Sequence, residues 1–183
     1  NTLWGGVIGD DGLDGILLGQ GDPTGEAHLE IQKTALRLRA LGVVLAVSSK
    51  NEDATARLPF QKHPDMLLKE SDIAVFQANW QDKASNLEAI ASTLDLGLDS
   101  LVLLDDNPAE RAQVRSALPQ VAVPELPQDP SSFAPILLAA GYFETVSVSR
   151  EDLLRADDYG ARAKRIELQQ SMRDLTSFLK SLE

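Results

Sequence analysis

Short apolar runs alternate along the chain with longer stretches whose apolar residues recur at helical spacing. Val43–Val47, Ile73–Phe76, Leu101–Leu104 and Val121–Val123 are rich in Val, Ile and Leu and suit strands buried on both faces. Between them, Asp82–Leu96 carries Leu87, Ile90, Ala91 and Leu94 at i, i+3, i+4 and i+7, one face of a helix. Gly25–Leu41 also reads as helix, with Gly42 placed to end it as a C′ glycine, and Gly97 is placed to do the same after Leu96. Beyond Val123 the prolines at 124, 127, 130 and 135 predict a loop, then a short helix ending near Gly141. From Arg150 a long polar helix is expected. Its Leu168, Met172, Leu175, Leu179 and Leu182 step by 4, 3, 4 and 3, a narrow seam that packs either on its own domain or on a partner.

Strand, helix, strand, helix with short joins describes βαβ units, which cross over right-handedly onto a parallel sheet. The expected class is therefore α/β, a parallel sheet flanked by helices. We divide the chain into a catalytic domain at 1–149 and a helical extension of the same domain at 150–183. Ligands of such sheets bind beyond the carboxyl ends of the strands, so those ends are where chemistry is sought.

Composition narrows the partners. With 183 residues the chain is long enough for one substantial core, and 43% apolar with 25% charged residues is globular composition. A net charge of −11 and a pI near 4.6 argue against nucleic acid or an anionic membrane as partner. There is no cysteine, hence no disulfide, thiolate metal site or thiol nucleophile. No apolar run approaches the ~20 residues of a membrane span and nothing resembles a signal peptide, so a soluble cytoplasmic protein is expected.

Three predicted strands end in polar clusters. Val47 is followed by Ser48-Ser49-Lys50-Asn51, Leu104 by Asp105-Asp106-Asn107-Pro108, and Phe76, three residues on, by Asn79-Trp80-Gln81-Asp82-Lys83. Two adjacent carboxylates stay charged cheaply only beside a cation, and a hard divalent ion such as Mg2+ takes oxygen ligands. Asn107, Pro108 and Glu110 already read as N-cap, N1 proline and N3 glutamate of a capping box, which leaves Asp105 and Asp106 to be explained by metal binding. Lys83 falls in a helix's first turn, where the macrodipole disfavours a cation unless an anion lies opposite. Ser49 and Asn51 either cap the next helix or, with backbone N–H groups, hold an oxyanion.

These pieces, in this order, resemble the haloacid-dehalogenase (HAD) superfamily of Mg2+-dependent phosphoryl-transfer enzymes, with Ser49 as its second motif, Lys83 as its third and Asp105-Asp106 as its fourth. The opening NTLWGGVIGDDG, with SSKNE, NWQDK, LGLDSLVLLDDNPAER and GYFE, is similar to the FkbH-like branch over about 1–159. The resemblance implies a HAD-like Rossmannoid parallel sheet and two further aspartates. One would stand immediately before Asn1 and act as acid/base, the other three positions before it and act as nucleophile. It also implies an activity of polyketide assembly. The three-carbon unit of 1,3-bisphosphoglycerate is dephosphorylated and its glyceryl, or a related lactyl-type acyl group, is loaded on the phosphopantetheine thiol of an acyl carrier protein.

On this reading Mg2+ is held by Asp106 and Asp105 with the upstream carboxylates, and Ser49 and Lys83 hold phosphoryl oxygens. Lys50 and Asn51 are placed to touch the substrate, as are Thr2, Gly5 and Gly6, whose glycines admit a close backbone approach. Trp4 is expected to pack, and His63, before Pro64, to be a loop surface histidine in preference to a base. Ser48 stands where glyceryl-transferring members carry the cysteine that holds the acyl group, and a serine hydroxyl is the poorer nucleophile. The rival readings are a plain Mg2+-dependent phosphatase, favoured by Ser48, and a catalytically dead docking module. Arg162, Lys164 and Arg165 form either a carrier-protein patch or a solvated helix face.

Overall fold

The computed structural model describes residues 2–143 and 150–180, the side chains of 150–153, 155, 156 and 175–180 excepted. The elements run α1 (Ile8–Gly15), α2 (Pro23–Ala40), β1 (Leu45–Ser49), α3 (Asp53–Lys62), β2 (Ile73–Ala78), α4 (Lys83–Leu94), α5 (Pro108–Ala117), α6 (Phe133–Ala139) and α7 (Arg150–Lys180). Asp82 caps α4, which opens on Lys83, and Asn107 caps α5, which follows Asp105 and Asp106; they accept from Ser85 N and Ala109 N. Asp22 and Pro23 start α2 in the same way, and Gly42, at φ 96°, turns the chain out of it. Gly97 does not end α4: the helix stops at Leu94 and Asp95 itself takes the left-handed conformation at φ 58°. An aspartate tolerates that region because its short polar side chain offsets part of the strain. Gly97 instead opens a short 3-10 turn at Leu98–Ser100.

β1 and β2 pair in parallel, from Leu45 beside Ile73 to Ser49 beside Ala78. The sheet is narrower than the four apolar runs predict. Residues 101–104 and 121–123 meet at one parallel bridge, Val102 with Ala122, backed by hydrogen bonds from Leu103 N to Ala122 O and from Ala122 N to Leu101 O. β1 and residues 101–104 line one cavity of about 570 Å3, and among the described residues neither segment has a ladder on its facing edge. β1 is half-buried along most of its length and not enclosed on both faces.

Helices cover this sheet on both sides, and three apolar clusters form the core. One joins α4, α5 and α7 to β2 through Val75, Leu87, Ile90, Val114 and Ala163. A second sets α2 against α6 through Ile31, Leu38, Phe133 and Leu137. The third seats α3 and β2 beneath the opening loop, with Trp4 edge-on to Phe60 at 6.0 Å. α7 lies on β2 and α4, and its small residues allow the close approach: Ala163 is fully buried and Gly160 faces Ala74. Leu168 and Met172 of the seam are exposed. Leu182 lies outside the described residues, as do the side chains of Leu175 and Leu179.

Candidate active site

The polar clusters at the strand ends come together. β1 delivers Ser48, Ser49 and then Lys50 and Asn51; β2 and its loop lead to Lys83, the first residue of α4; residues 101–104 deliver Asp105 and Asp106 at the mouth of α5. The cavity walls include Thr2, Ser48, Ser49, Lys83, Asp105 and Asp106, with Lys50 and Asn51 also lining it.

Within this cluster the two aspartates have different work. Asp105 is buried, and both of its carboxylate oxygens are engaged. Oδ2 accepts from Lys83 Nζ at 2.6 Å and Oδ1 accepts from Asn107 N at 2.9 Å. Lys83 also reaches Ser48 O at 3.4 Å and is itself buried, so a helix's first turn carries a cation here because a buried carboxylate stands opposite. Asp106 is placed otherwise. It faces the cavity, and its Oδ1 accepts from the Thr2 hydroxyl at 3.3 Å. Of the predicted pair, Asp105 holds the lysine, while Asp106 meets Thr2 on the wall of the same cavity.

Lys50 and Glu110 close one side of the site, Nζ to Oε1 at 2.7 Å. This replaces the expected capping box: Asn107 caps α5 alone, and Glu110 turns to the cation across the cleft. Two buried oxygens on the cavity wall, Ser48 Oγ and Glu110 Oε2, have no hydrogen-bond partner among the described residues. Asn51 bends over its own chain, Oδ1 accepting from Glu52 N at 3.0 Å.

Gly5 and Gly6 do not line the cavity. They close the loop around α1. Gly5 bridges Leu17 by two backbone hydrogen bonds of 3.0 and 2.9 Å, and a Cβ there would stand 3.1 Å from Leu17 Cβ. Gly6 takes φ 85°, beneath the Asp11 carboxylate. His63 also stays away from the cavity. It is buried at the end of α3, its Nδ1 accepting from Asp65 N at 3.2 Å, so it is neither base nor surface residue. Lys164 of the basic cluster sits beside Arg39 and residues 71–74, at the amino ends of the strands, and Arg162 pairs with Asp95 at 3.1 Å. The cluster is thus at the end of the sheet opposite Ser48 and Ser49.

Sequence reading missed three buried polar residues that hold the site's backbone. His28 and Gln32, one turn apart on α2, grip the opening loop: the His28 Nδ1–H donates to Thr2 O at 3.2 Å and Gln32 Nε2 to Leu3 O at 2.8 Å. Burial pushes the His28 imidazole below its ordinary pKa, so it is neutral at pH 7. Gln32 Oε1 also accepts from Leu67 N and Leu68 N at 3.0 and 3.2 Å. Their signal was present as two polar residues at i and i+4 inside an otherwise apolar stripe. The third, Arg111, had no signal beyond following the aspartates.

Among the described residues no group of three or more His, Cys, Asp or Glu stands close enough to enclose a metal ion. What the cavity does offer is one face of an all-oxygen site, the Asp106 carboxylate beside the Thr2 hydroxyl, with a lysine and serines to receive anionic oxygens. A two-sided helical covering, a parallel sheet and an acid–lysine–serine cluster at its carboxyl end define the HAD-like α/β fold.

A solved structure places this fold more closely. The N-terminal part of the protein BF1531 from Bacteroides fragilis, described as containing a phosphatase domain complexed with Mg, matches 79% of this chain at 48% identity with a TM-score of 0.77. This chain spans 39% of the length of that one. No protein-family profile and no curated protein matches the sequence.

Proposed function

We propose that the chain is the Mg2+-dependent phosphate-handling domain of a transferase that dephosphorylates a 1,3-bisphosphoglycerate-derived three-carbon unit. It loads the glyceryl, or a lactyl-type acyl group, on the phosphopantetheine thiol of an acyl carrier protein in the cytoplasm. The observation that carries the reading is the Lys83–Asp105 pair set beside Asp106, Thr2 and Ser48 at the carboxyl ends of the sheet. The likeness to a phosphatase domain complexed with Mg supports it.

Asp106 would hold the metal, with Asp105 one residue away fixing the lysine. The two aspartates expected just before Asn1 would supply the further carboxylates, one of them the nucleophile. Bound Mg2+ supplies charge neutralisation for the phosphoryl group. Lys83 is a fixed positive charge for phosphoryl oxygens, and Ser49 is a hydroxyl donor at the strand end. Buried Ser48 Oγ and Lys50 Nζ, both on the cavity wall, would be the donors offered to the acyl group.

In acyl loading the carbonyl carbon exchanges its bond to phosphate oxygen for one to the pantetheine sulfur. The bonding pair leaves with the C1 phosphate, which takes the thiol proton. The C3 phosphate ester is broken in a separate step: phosphorus passes to the aspartate nucleophile and then to water, the alkoxide oxygen takes a proton to become the C3 hydroxyl, and a second inorganic phosphate is released. A second reading, release of phosphate to water, is favoured by Ser48 standing where a thiol would serve acyl transfer better.

The test is intact-mass spectrometry of a holo acyl carrier protein incubated with the full-length protein, Mg2+ and 1,3-bisphosphoglycerate generated in situ. A carrier gaining a glyceryl mass supports the transferase. An unchanged carrier with inorganic phosphate released supports the phosphatase.

A further inference from the structure

Arg111, in the first turn of α5, is buried to 2% exposure. Its Nη1 donates to Asp105 O at 2.9 Å and to Asp106 O at 2.8 Å. Its Nη2 donates to Leu126 O at 3.2 Å and to the Glu125 carboxylate. Taking a guanidinium out of water is costly unless acceptors surround it, and here the one carboxylate among them belongs to an exposed side chain.

Pinning residues 123–126 to α5 does not require that buried charge. Arg115, one turn further on, already does so from a more exposed position: its Nη2 donates to Val123 O and to Glu125 Oε2, both at 2.8 Å. What Arg111 reaches and Arg115 does not is the pair of carbonyls of the acidic residues. Two successive carbonyls drawn to one nitrogen fix the two peptide planes that flank Cα of Asp106, and with them the direction in which its Cα–Cβ bond leaves the chain. A planar fork does this where an ammonium on a flexible stem does not.

We infer that Arg111 is a positioning residue for the metal-binding carboxylate. Through the carbonyls of Asp105 and Asp106 it aims Asp106 into the cavity while Asp105 stays on Lys83. It touches neither substrate nor metal. The inference rests on the Mg2+ reading above.

The experiment is calorimetric titration of Mg2+ into the full-length protein, with thermal unfolding measured in parallel, for wild type, Arg111→Lys, Arg111→Met and Arg115→Ala. Loss of an outer partner of a metal ligand typically costs about 10- to 100-fold in metal affinity. Arg111→Lys and Arg111→Met are therefore expected to weaken Mg2+ at least tenfold. Arg115→Ala loosens the same 123–126 segment and is expected to change affinity less than twofold. An Arg111→Lys protein that folds and binds Mg2+ within twofold of wild type overturns the inference, as does an Arg115→Ala that weakens binding equally.

Should neither Arg111 variant fold, Glu125→Ala replaces them. It releases the outer end of the guanidinium, so it is expected to weaken Mg2+ several-fold beyond Arg115→Ala; equal effects overturn the inference. A wild type that binds no Mg2+ overturns both this inference and the metal-dependent function. A binding wild type with an unaffected Arg111→Lys overturns this inference alone.

Discussion

Asp105 and Asp106 are neighbours of the same type, yet one is committed to a buried lysine and the other faces the cavity. Removing the charge of Asp105 leaves a buried ammonium uncompensated, and breaking a buried ion pair this way costs about 3–5 kcal/mol. Asp105→Asn is expected to lose stability of that order in urea denaturation, whereas Asp106→Asn is expected to stay close to wild type. Equal losses would show that the two aspartates share one role. His28 gives a prediction of pH dependence. Its unfolded imidazole titrates near 6.5, and burial holds the folded one lower. Between those values the unfolded chain binds a proton that the native one does not, so stability falls as pH drops below about 6.5. Urea midpoints of wild type should decline between pH 7.5 and 5.5, and His28→Asn should flatten that slope. An unchanged slope would mean that another group sets it.

At the scale of elements, α7 rests on the sheet through residues too small to tolerate growth. Ala163→Leu adds bulk at a fully buried position and is expected to cost about 1–3 kcal/mol by overpacking, read as a lower urea midpoint. A neutral effect would show that α7 is not held there. α4 was legible in the sequence from its apolar spacing and α2 from its glycine stop at Gly42, whereas the stop read at Gly97 is taken over by Asp95. The runs at 101–104 and 121–123 were legible as buried, but hydrophobic pattern reports burial and not pairing, and the two meet at one bridge. α1 was not legible because three of its eight residues are glycine, a poor helix former, and Gly12 at φ 66° kinks it. The site residues Lys83, Asp105 and Asp106 stood out because like charges and a first-turn lysine contradict local preference. Arg111, His28 and Gln32 act on backbone carbonyls, a use of polar side chains that spacing alone does not display.

Across the whole molecule the chemistry sits at one end of the sheet and the basic residues of α7 at the other. A parallel strand rises about 3.3 Å per residue, so the six residues of β2 set those ends roughly 17 Å apart. Charge reversal at Arg162, Lys164 and Arg165 is therefore expected to leave phosphate release within twofold of wild type, in a steady-state assay of the full-length protein. A large loss would connect the two ends. Metal-dependent phosphate chemistry at Asp106 is tested by phosphate release from an acyl phosphate by the full-length protein, followed against Mg2+ concentration for wild type and Asp106→Asn. Saturable dependence on Mg2+, loss in the presence of a chelator, and a fall of about 10²-fold or more in the variant are expected. Release that ignores Mg2+, or that Asp106→Asn leaves intact, would contradict metal-dependent chemistry at Asp106.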